Sequence, residues 1–291
     1  MSSEAASIPP PSLQTAPDDP PGPGRGALDD PGWRPVTSLF ALLAGFGGAI
    51  FGAIVVGLVA GLLGASLTDP PPAVSIIGTV VQDVCLVASA LFFARLAARP
   101  RPSHFGLRAA RTWPAVGWAA LAYAGFYGFT AAWVALLGTK PADENLPKEL
   151  GADKSTLALV SVAVLVSVVA PMAEEFFFRG YFYGALRNWN VWGAALVTGL
   201  VFGAIHAGSA QSEFLLPLAF FGVVLCWLRE RTGSLYPGIV LHCANNSIAF
   251  GVSQHWGWEI GALFLGSVSV FWVVARLVRT RWDAAAAVPV A

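Results

Sequence analysis

The chain has 291 residues, of which 56% are hydrophobic and 12% are charged, and its mean hydropathy is +0.64. Soluble domains carry about 25% charged residues, so this composition excludes an ordinary soluble domain and predicts an integral membrane protein. The formal net charge is zero and no basic run is present, which argues against nucleic acid as a partner.

The N-terminal segment, residues 1–35, differs from the rest of the chain. It holds nine of the 21 prolines, including the runs PPP and DDPPGPG. Such a segment cannot bury enough apolar surface to fold, so we predict a disordered, Pro-rich cytoplasmic tail.

Residues 36–280 are predicted to form an all-α, polytopic membrane helix bundle with about eight transmembrane helices. Some 20 apolar residues cross the hydrocarbon core of a bilayer, which is the length used to delimit each span. A short C-terminal tail, residues 281–291, follows the bundle. The predicted spans are 36–67, 73–98, 113–138, 156–187, 191–210, 214–229, 235–253 and 257–278.

Arginines orient the predicted bundle. With eight spans and a cytoplasmic N-terminus, every arginine-rich connection falls on the cytoplasmic side, as the positive-inside rule requires. Both termini are then cytoplasmic, and the expected location is the cell membrane. The arginines that cluster in or beside these connections are Arg95, Arg99, Arg101, Arg108, Arg111, Arg187, Arg229, Arg231, Arg276, Arg279 and Arg281.

The second predicted span contains one acidic residue, Asp83. Ionisable residues within membrane spans are rare and are commonly paired or functional. From the sequence we expect Asp83 to be a structural hydrogen-bonding residue.

The fourth predicted span ends in APMAEEFFFRG, residues 170–180. A charged side chain near the bilayer centre costs roughly 2.5–3.5 kcal/mol on insertion scales, so these residues need partners or a function. On a helix Glu175 and Arg179 lie within about 40° of each other and can pair. That pairing leaves Glu174 as the available carboxylate. The alternative is a structural ion cluster that holds helices together.

A histidine in the fifth span is predicted to lie opposite Glu174. Asn188, Trp189 and Asn190 form a natural turn; Glu174 lies 16 residues before Asn190 and His206 lies 16 residues after it. In an antiparallel helical hairpin the two would lie at the same depth. A lone histidine in an apolar helix could also be a hydrogen-bonded packing residue.

The seventh span reads GIVLHCANNSIAF. His242 and Asn246 stand at i and i+4, so an imidazole and an amide are expected on one face of the helix. Interhelical hydrogen bonding, which polar residues commonly provide in membranes, is the alternative interpretation.

Together these residues are suited to peptide-bond hydrolysis. Glu174 and His206 can hold and deprotonate a water molecule, while His242 and Asn246 can donate to the oxyanion that forms. Alternatively, Glu174, His206 and His242 could bind a zinc ion that activates the water. Neither G-x-S-x-G nor H-E-x-x-H occurs in the chain.

Three motifs stand in a fixed order: E-E-x-x-x-R (Glu174, Glu175, Arg179), F-x-x-x-H (Phe202, His206) and H-x-x-x-N (His242, Asn246). This order resembles the CPBP family of intramembrane proteases, which contains the type II CAAX prenyl endopeptidases and the bacterial Abi, or bacteriocin-immunity-like, proteins. The resemblance covers residues 156–252.

The resemblance implies an eight-helix protease core whose cavity opens towards the cytosol. It further implies that Glu174 activates water with His206, that His242 and Asn246 form the oxyanion site, and that Glu175 with Arg179 supports the centre. Members of the family carry the metalloprotease label, but a glutamate mechanism without metal explains the same residues. Asn246 and one histidine suit oxyanion donation better than zinc ligation, which favours the glutamate mechanism.

The expected substrate is a membrane-anchored peptide or protein. The chain is rich in Ala, Arg, Gly and Pro and has three lysines, which indicates a bacterial origin, where prenylated substrates are not expected. The competing hypotheses are a non-catalytic membrane scaffold or immunity protein of the same fold and a small transporter. A transporter would show paired half-helices in two repeats, and the sequence has no internal repeat.

Overall fold

The computed structural model describes residues 31–66, 68–138 and 146–286. Within this part of the chain the main elements are eight helices and there is no strand. The helices are α1 (Pro35–Leu62), α2 (Pro72–Ala97), α3 (Thr112–Leu137), α4 (Thr156–Leu186), α5 (Val191–Ala204), α6 (Leu215–Thr232), α7 (Tyr236–Ser253) and α8 (Trp258–Ala286).

The predicted class, an all-α membrane helix bundle, is confirmed. Six helical segments of the described chain are long and apolar enough to cross a membrane, and they correspond to α1, α2, α3, α4, α6 and α8. Helix α5 has 14 residues and is shorter than these, and α7 is not among the six. The count of eight membrane crossings therefore stays a prediction.

Helix ends follow local signals in the sequence. Pro35 and Pro72 are the first residues of α1 and α2, where a proline costs nothing because the first N–H groups of a helix have no intrahelical partner. The Asn190 side chain caps α5 by accepting the N–H of Gly193 at 2.7 Å. The turn predicted between the fourth and fifth spans is thereby confirmed.

Helix α5 is shorter than the predicted span 191–210, because the helix ends at Ala204. Two turns and Gly208, which has a φ of 103°, follow it. A left-handed φ of this kind is open to glycine and ends the helical path. His206 consequently lies in a turn beyond the helix.

Both ends of the chain differ from the predicted tails. Residues 1–30 of the N-terminal tail lie outside the described residues, but Trp33 is only 3% exposed and packs against the rings of Phe105 and Tyr181. The packed chain thus begins before the predicted boundary at residue 35. At the other end α8 continues to Ala286, so the helix covers the first residues of the predicted tail 281–291; residues 287–291 lie outside the described part.

Arginine-bearing connections meet at one end of the bundle. The Arg187 guanidinium pairs with Glu230 at 2.8 Å, which joins the α4–α5 turn to the end of α6. Arg108 Nε donates to the carbonyl of Gly233 at 2.6 Å, which joins the α2–α3 connection to the α6–α7 turn. This grouping is the one that the arginine-based topology requires.

At the opposite end, Lys154 pairs with Asp69 at 3.2 Å and joins the α1–α2 connection to the segment before α4. The structure thus separates two ends of the bundle. Which end faces the cytoplasm stays a prediction.

Candidate active site

Helix α4 departs from α-geometry at two places, Leu165–Val169 and Glu175–Phe182, both of which are π-helical. Short π-helical stretches in α-helices frequently lie at functional sites because they displace side chains and leave backbone groups free. Between these two stretches lies Pro171, which has no backbone N–H. In π register the Val166 carbonyl would accept the N–H of residue 171, so the proline leaves that carbonyl without an intrahelical partner.

The Glu175 and Arg179 side chains are both completely buried and form an ion pair, with Arg179 Nη1 at 2.8 Å from Glu175 Oε1. The predicted i,i+4 pairing is confirmed. The Arg179 guanidinium also lies over the Phe202 ring, at 4.2 Å from its centroid, which adds a cation–π contact from α5. A charge pair this deeply buried is stable only because each ion has the other as a partner.

His242 of α7 lies between the two adjacent glutamates of α4. Its Nδ1 is 3.0 Å from Glu175 Oε1, and its Nε2 is 3.7 Å from Glu174 Oε2. A carboxylate can only accept, so Nδ1 carries the hydrogen and donates it to Glu175. That bond fixes the ring and directs Nε2 towards Glu174.

Glu174 is the less buried of the two acids. Its side chain is 14% exposed, while that of Glu175 is fully buried. The gap of 3.7 Å between Glu174 Oε2 and His242 Nε2 is longer than a good hydrogen bond. Glu174 is therefore the more accessible of the two carboxylates and the one without an arginine partner.

His206 reaches the site from the turn after α5. Its Nδ1 lies 2.7 Å from the Phe202 carbonyl, and because a carbonyl only accepts, Nδ1 must be the donor. The Phe202 ring contacts the rings of both His206 and His242, at centroid distances of 4.8 and 5.7 Å. The two histidines thus flank one phenylalanine.

His206 and Glu174 are predicted to lie at the same depth, within hydrogen-bond reach or one bridging water of each other; the described residues show no direct hydrogen bond or ion pair between them. Equal depth in a hairpin requires α5 to remain helical through residue 206, and the helix ends at Ala204. A water-mediated approach of the two side chains stays a prediction.

Asn246 has a partner that the sequence did not predict. Its Nδ2 donates to the carbonyl of Val166 at 3.0 Å, and its Oδ1 faces Asn245 Nδ2 at 3.4 Å. The amide thus satisfies the carbonyl that Pro171 leaves free. Interhelical hydrogen bonding, the alternative interpretation of this residue, is confirmed for one of its two N–H groups.

The zinc alternative has no support in the arrangement of side chains. Among the described residues, no group of three or more His, Cys, Asp or Glu side chains converges as metal ligands would. Glu174, His206 and His242 are therefore not placed as a three-ligand set. We derive no chemical step through a metal.

Two features of the site were missed in the sequence. The Phe221 ring packs at 5.4 Å from that of His242, and a Cβ at Gly238 would lie 3.3 Å from Glu175 Oε2, so glycine lets α7 approach the buried acid. Asp83 was singled out in the sequence, but its expected hydrogen bond is not found, since neither carboxyl oxygen has a partner in the described chain.

A family model matches the same part of the chain. The model of the family described as "Type II CAAX prenyl endopeptidase Rce1-like" matches residues 156–248. An Escherichia coli protein named "Uncharacterized 24.3 kDa protein" is 32% identical over 105 residues, which cover 35% of this chain and 48% of the relative. No solved structure matches the chain significantly.

Two further relatives cover similar lengths. The "UPF0177 protein YxdF" of Lactococcus lactis is 24% identical over 90 residues, which cover 31% of this chain and 49% of the relative. The "Putative membrane peptidase YdiL" of Bacillus subtilis is 30% identical over 91 residues, which cover 31% of this chain and 36% of the relative. The chain thus matches half or less of the length of these curated relatives.

The matched segment contains all three motifs and the side chains that surround His242. The family resemblance indicated by the motifs is confirmed there. Residues 156–248 are thus similar to the Rce1-like type II CAAX prenyl endopeptidase family.

Proposed function

We propose that the chain is an intramembrane endopeptidase that hydrolyses a peptide bond in a membrane-anchored protein or peptide. One observation carries the proposal: the continuous series Arg179–Glu175–His242–Glu174, in which a fully buried ion pair holds an imidazole beside a partly exposed carboxylate. The same logic of a buried acid that orients a histidine recurs in unrelated hydrolases.

Glu174 is the proposed general base. It removes a proton from a water molecule while the water oxygen forms a bond to the substrate carbonyl carbon. The carbonyl oxygen becomes an oxyanion, and the carbon–nitrogen bond then breaks as Glu174 returns the proton to the leaving nitrogen. His206 assists by accepting from the same water at Nε2, since its Nδ1 hydrogen is already donated to Phe202.

His242 and Asn246 are the proposed oxyanion donors. With a hydrogen on each ring nitrogen, His242 keeps its bond to Glu175 and directs Nε2–H into the space beside Glu174. The Nδ2 atom of Asn246 donates one hydrogen to the Val166 carbonyl, and its second N–H is the proposed oxyanion donor. Donors of this kind contribute about 2.7–4 kcal/mol each where they have been removed in other enzymes.

The proposed location is the plasma membrane of a bacterium, with the site open to the cytosol. Glu174 lies 12 residues from the end of α4 at Leu186 and 18 residues from its start at Thr156. At 1.5 Å per residue these spacings correspond to about 18 and 27 Å, so the site is nearer the arginine-bearing end. The bacterial sources of the three relatives support the same assignment.

The test is the Glu174→Gln variant, reconstituted in liposomes with a membrane-anchored fluorogenic peptide. Glutamine keeps the shape but cannot take up the proton, so turnover should fall about 10²–10⁴-fold while the protein stays folded. Glu213→Gln, on an acid outside this series, is the matched control. An unchanged rate in Glu174→Gln, or unchanged cellular function of that variant, would favour the non-catalytic scaffold or immunity protein.

The same preparation tests the metal alternative. After treatment with a tight chelator the wild-type protein should keep its activity, since the proposed chemistry activates water with the side chains of Glu174 and His206 and needs no metal. Activity that is lost on chelation and restored by one equivalent of zinc would require the metalloprotease mechanism instead.

A further inference from the structure

Helix α2 brings a third acidic side chain towards the site. Asp83 is only 3% exposed, and α2 packs along the part of α4 that carries Glu174. Neither carboxyl oxygen of Asp83 has a hydrogen-bond partner in the described chain. Asp83 also takes part in none of the ion pairs among the described residues. Helix α1, which also packs on α2, contains no charged residue.

Such a side chain cannot be an isolated anion. An ionised carboxylate without a partner in an apolar interior costs far more than taking up a proton, so Asp83 is a neutral carboxylic acid. A neutral acid has one O–H donor. Helix α2 packs on the segment of α4 that ends at Glu174, and Glu174 is the carboxylate of the site that is not neutralised by an arginine.

We propose that Asp83 is a positioning residue of the hydrolytic site: its carboxylic O–H donates through one water molecule to the carboxylate of Glu174. The proposal rests on the proposed function, because it assigns Asp83 a part in the same reaction. Two carboxyl groups that share one proton divide into a donor and an acceptor, a division that other enzymes use. Here it leaves Glu174 as the charged member.

The donor role of Asp83 predicts different kcat values for two substitutions of similar size. Asp83→Asn keeps a neutral N–H donor, so kcat should remain within about threefold of the wild type. Asp83→Leu removes the O–H group that donates towards Glu174. The kcat should therefore fall about 10- to 100-fold, the range expected for a lost hydrogen bond to a charged group. KM should not change in either variant, because Asp83 does not contact the substrate.

A matched control lies on the same helix. Ser89 is buried too, but its hydroxyl donates to the carbonyl of Leu86 at 2.9 Å and has no part in the site. Ser89→Ala should leave kcat unchanged. The thermal unfolding temperature in detergent should be as high for Asp83→Leu as for the wild type, since leucine suits an apolar helix. A marked drop in that temperature would indicate a structural role for Asp83 and overturn the proposal.

A spectroscopic measurement tests the proposal without activity. Infrared spectra of protein labelled with ¹³C at aspartate carboxyl groups should show the carbonyl stretch of a protonated acid at neutral pH. The band should be absent from Asp83→Asn and should shift in Glu174→Gln, because the acceptor of the bridging water has changed. A wild-type spectrum without the band, or a band unaffected by Glu174→Gln, would overturn the proposal.

The two proposals fail in different ways. If the wild type hydrolyses no peptide, the proposed function fails and the infrared result alone decides the pairing of Asp83 with Glu174. If the wild type is active and Asp83→Leu is equally active, only the role of Asp83 fails. Equal losses of kcat in Asp83→Asn and Asp83→Leu would overturn the donor role and indicate that Asp83 itself transfers a proton.

Discussion

His242 hydrogen-bonds to Glu175 across two helices, with Nδ1 3.0 Å from the same Oε1 that accepts Arg179 Nη1 at 2.8 Å. One buried oxygen thus connects the ion pair within α4 to the imidazole on α7. The bond has two consequences. It supports the packing of α7 on α4, and it sets the direction of the ring nitrogen that faces Glu174.

We predict that Glu175→Gln destabilises the fold as well as abolishing activity. The substitution leaves Arg179 as a buried charge without a counter-ion, and breaking a buried pair typically lowers the free energy of unfolding by about 3–5 kcal/mol. Denaturant unfolding in detergent measures this change.

The matched control is Glu230→Gln, which removes the partner of Arg187 in an ion pair that is partly exposed. Its expected cost is below about 1 kcal/mol. A Glu175→Gln protein as stable as the wild type would mean that Arg179 does not depend on this acid.

We predict that Asn246→Ala lowers the free energy of unfolding by about 1–3 kcal/mol, because the partly buried Val166 carbonyl loses its donor. Alanine at position 171 restores a backbone N–H that can reach that carbonyl. The Asn246→Ala substitution should therefore cost less in a Pro171→Ala background than in the wild type. Strictly additive effects in this double-mutant cycle would contradict the explanation.

We predict that Gly203→Ala displaces α5 from α6 and lowers activity about tenfold or more. A Cβ at this position would lie 2.6 Å from the carbonyl oxygen of Leu215 and 2.8 Å from the nitrogen of Ala219, both backbone atoms that cannot rotate away. Since Phe202 and His206 adjoin this contact, movement of α5 disturbs the site. Small residues serve such close helix approaches widely in membranes.

Gly125→Ala is the control for this prediction, since a Cβ there meets nothing within 4 Å. It should leave activity unchanged and should stabilise α3 slightly, by up to about 1 kcal/mol. The two variants are compared by turnover and by thermal unfolding. Equal effects of the two substitutions would show that the α5–α6 contact has no special importance.

We predict that the two ends of the bundle face opposite sides of the membrane, with the arginine-bearing end in the cytoplasm. In a chain whose three cysteines are replaced by alanine, a cysteine at the exposed position Lys148 should react with an impermeant maleimide in intact cells. A cysteine at the exposed position Ala109, in the α2–α3 connection, should react only after the cells are opened. The reverse pattern would place the site towards the outside.

The amino-acid sequence by itself determined the helices and the local pair within α4. Apolar stretches and turn residues predicted α2, which spans Pro72–Ala97, to within one residue at each end. Glu175 and Arg179 pair because four positions along a helix bring side chains together whatever surrounds them. The order of the three motifs likewise indicated the resemblance that the family model supports over residues 156–248, because motif order is a property of the sequence alone.

The tertiary structure decided which groups of different helices meet. His242 lies 67 positions after Glu175, and Asn246 lies 80 after Val166, so only the packing of α7 on α4 could bring them together. Helix periodicity states which face a residue occupies but not how far a helix extends, which is why His206 was predicted on a helix that ends at Ala204. For the same reason the burial of Asp83 beside α4 without a partner depends on interhelical packing, which local sequence does not encode.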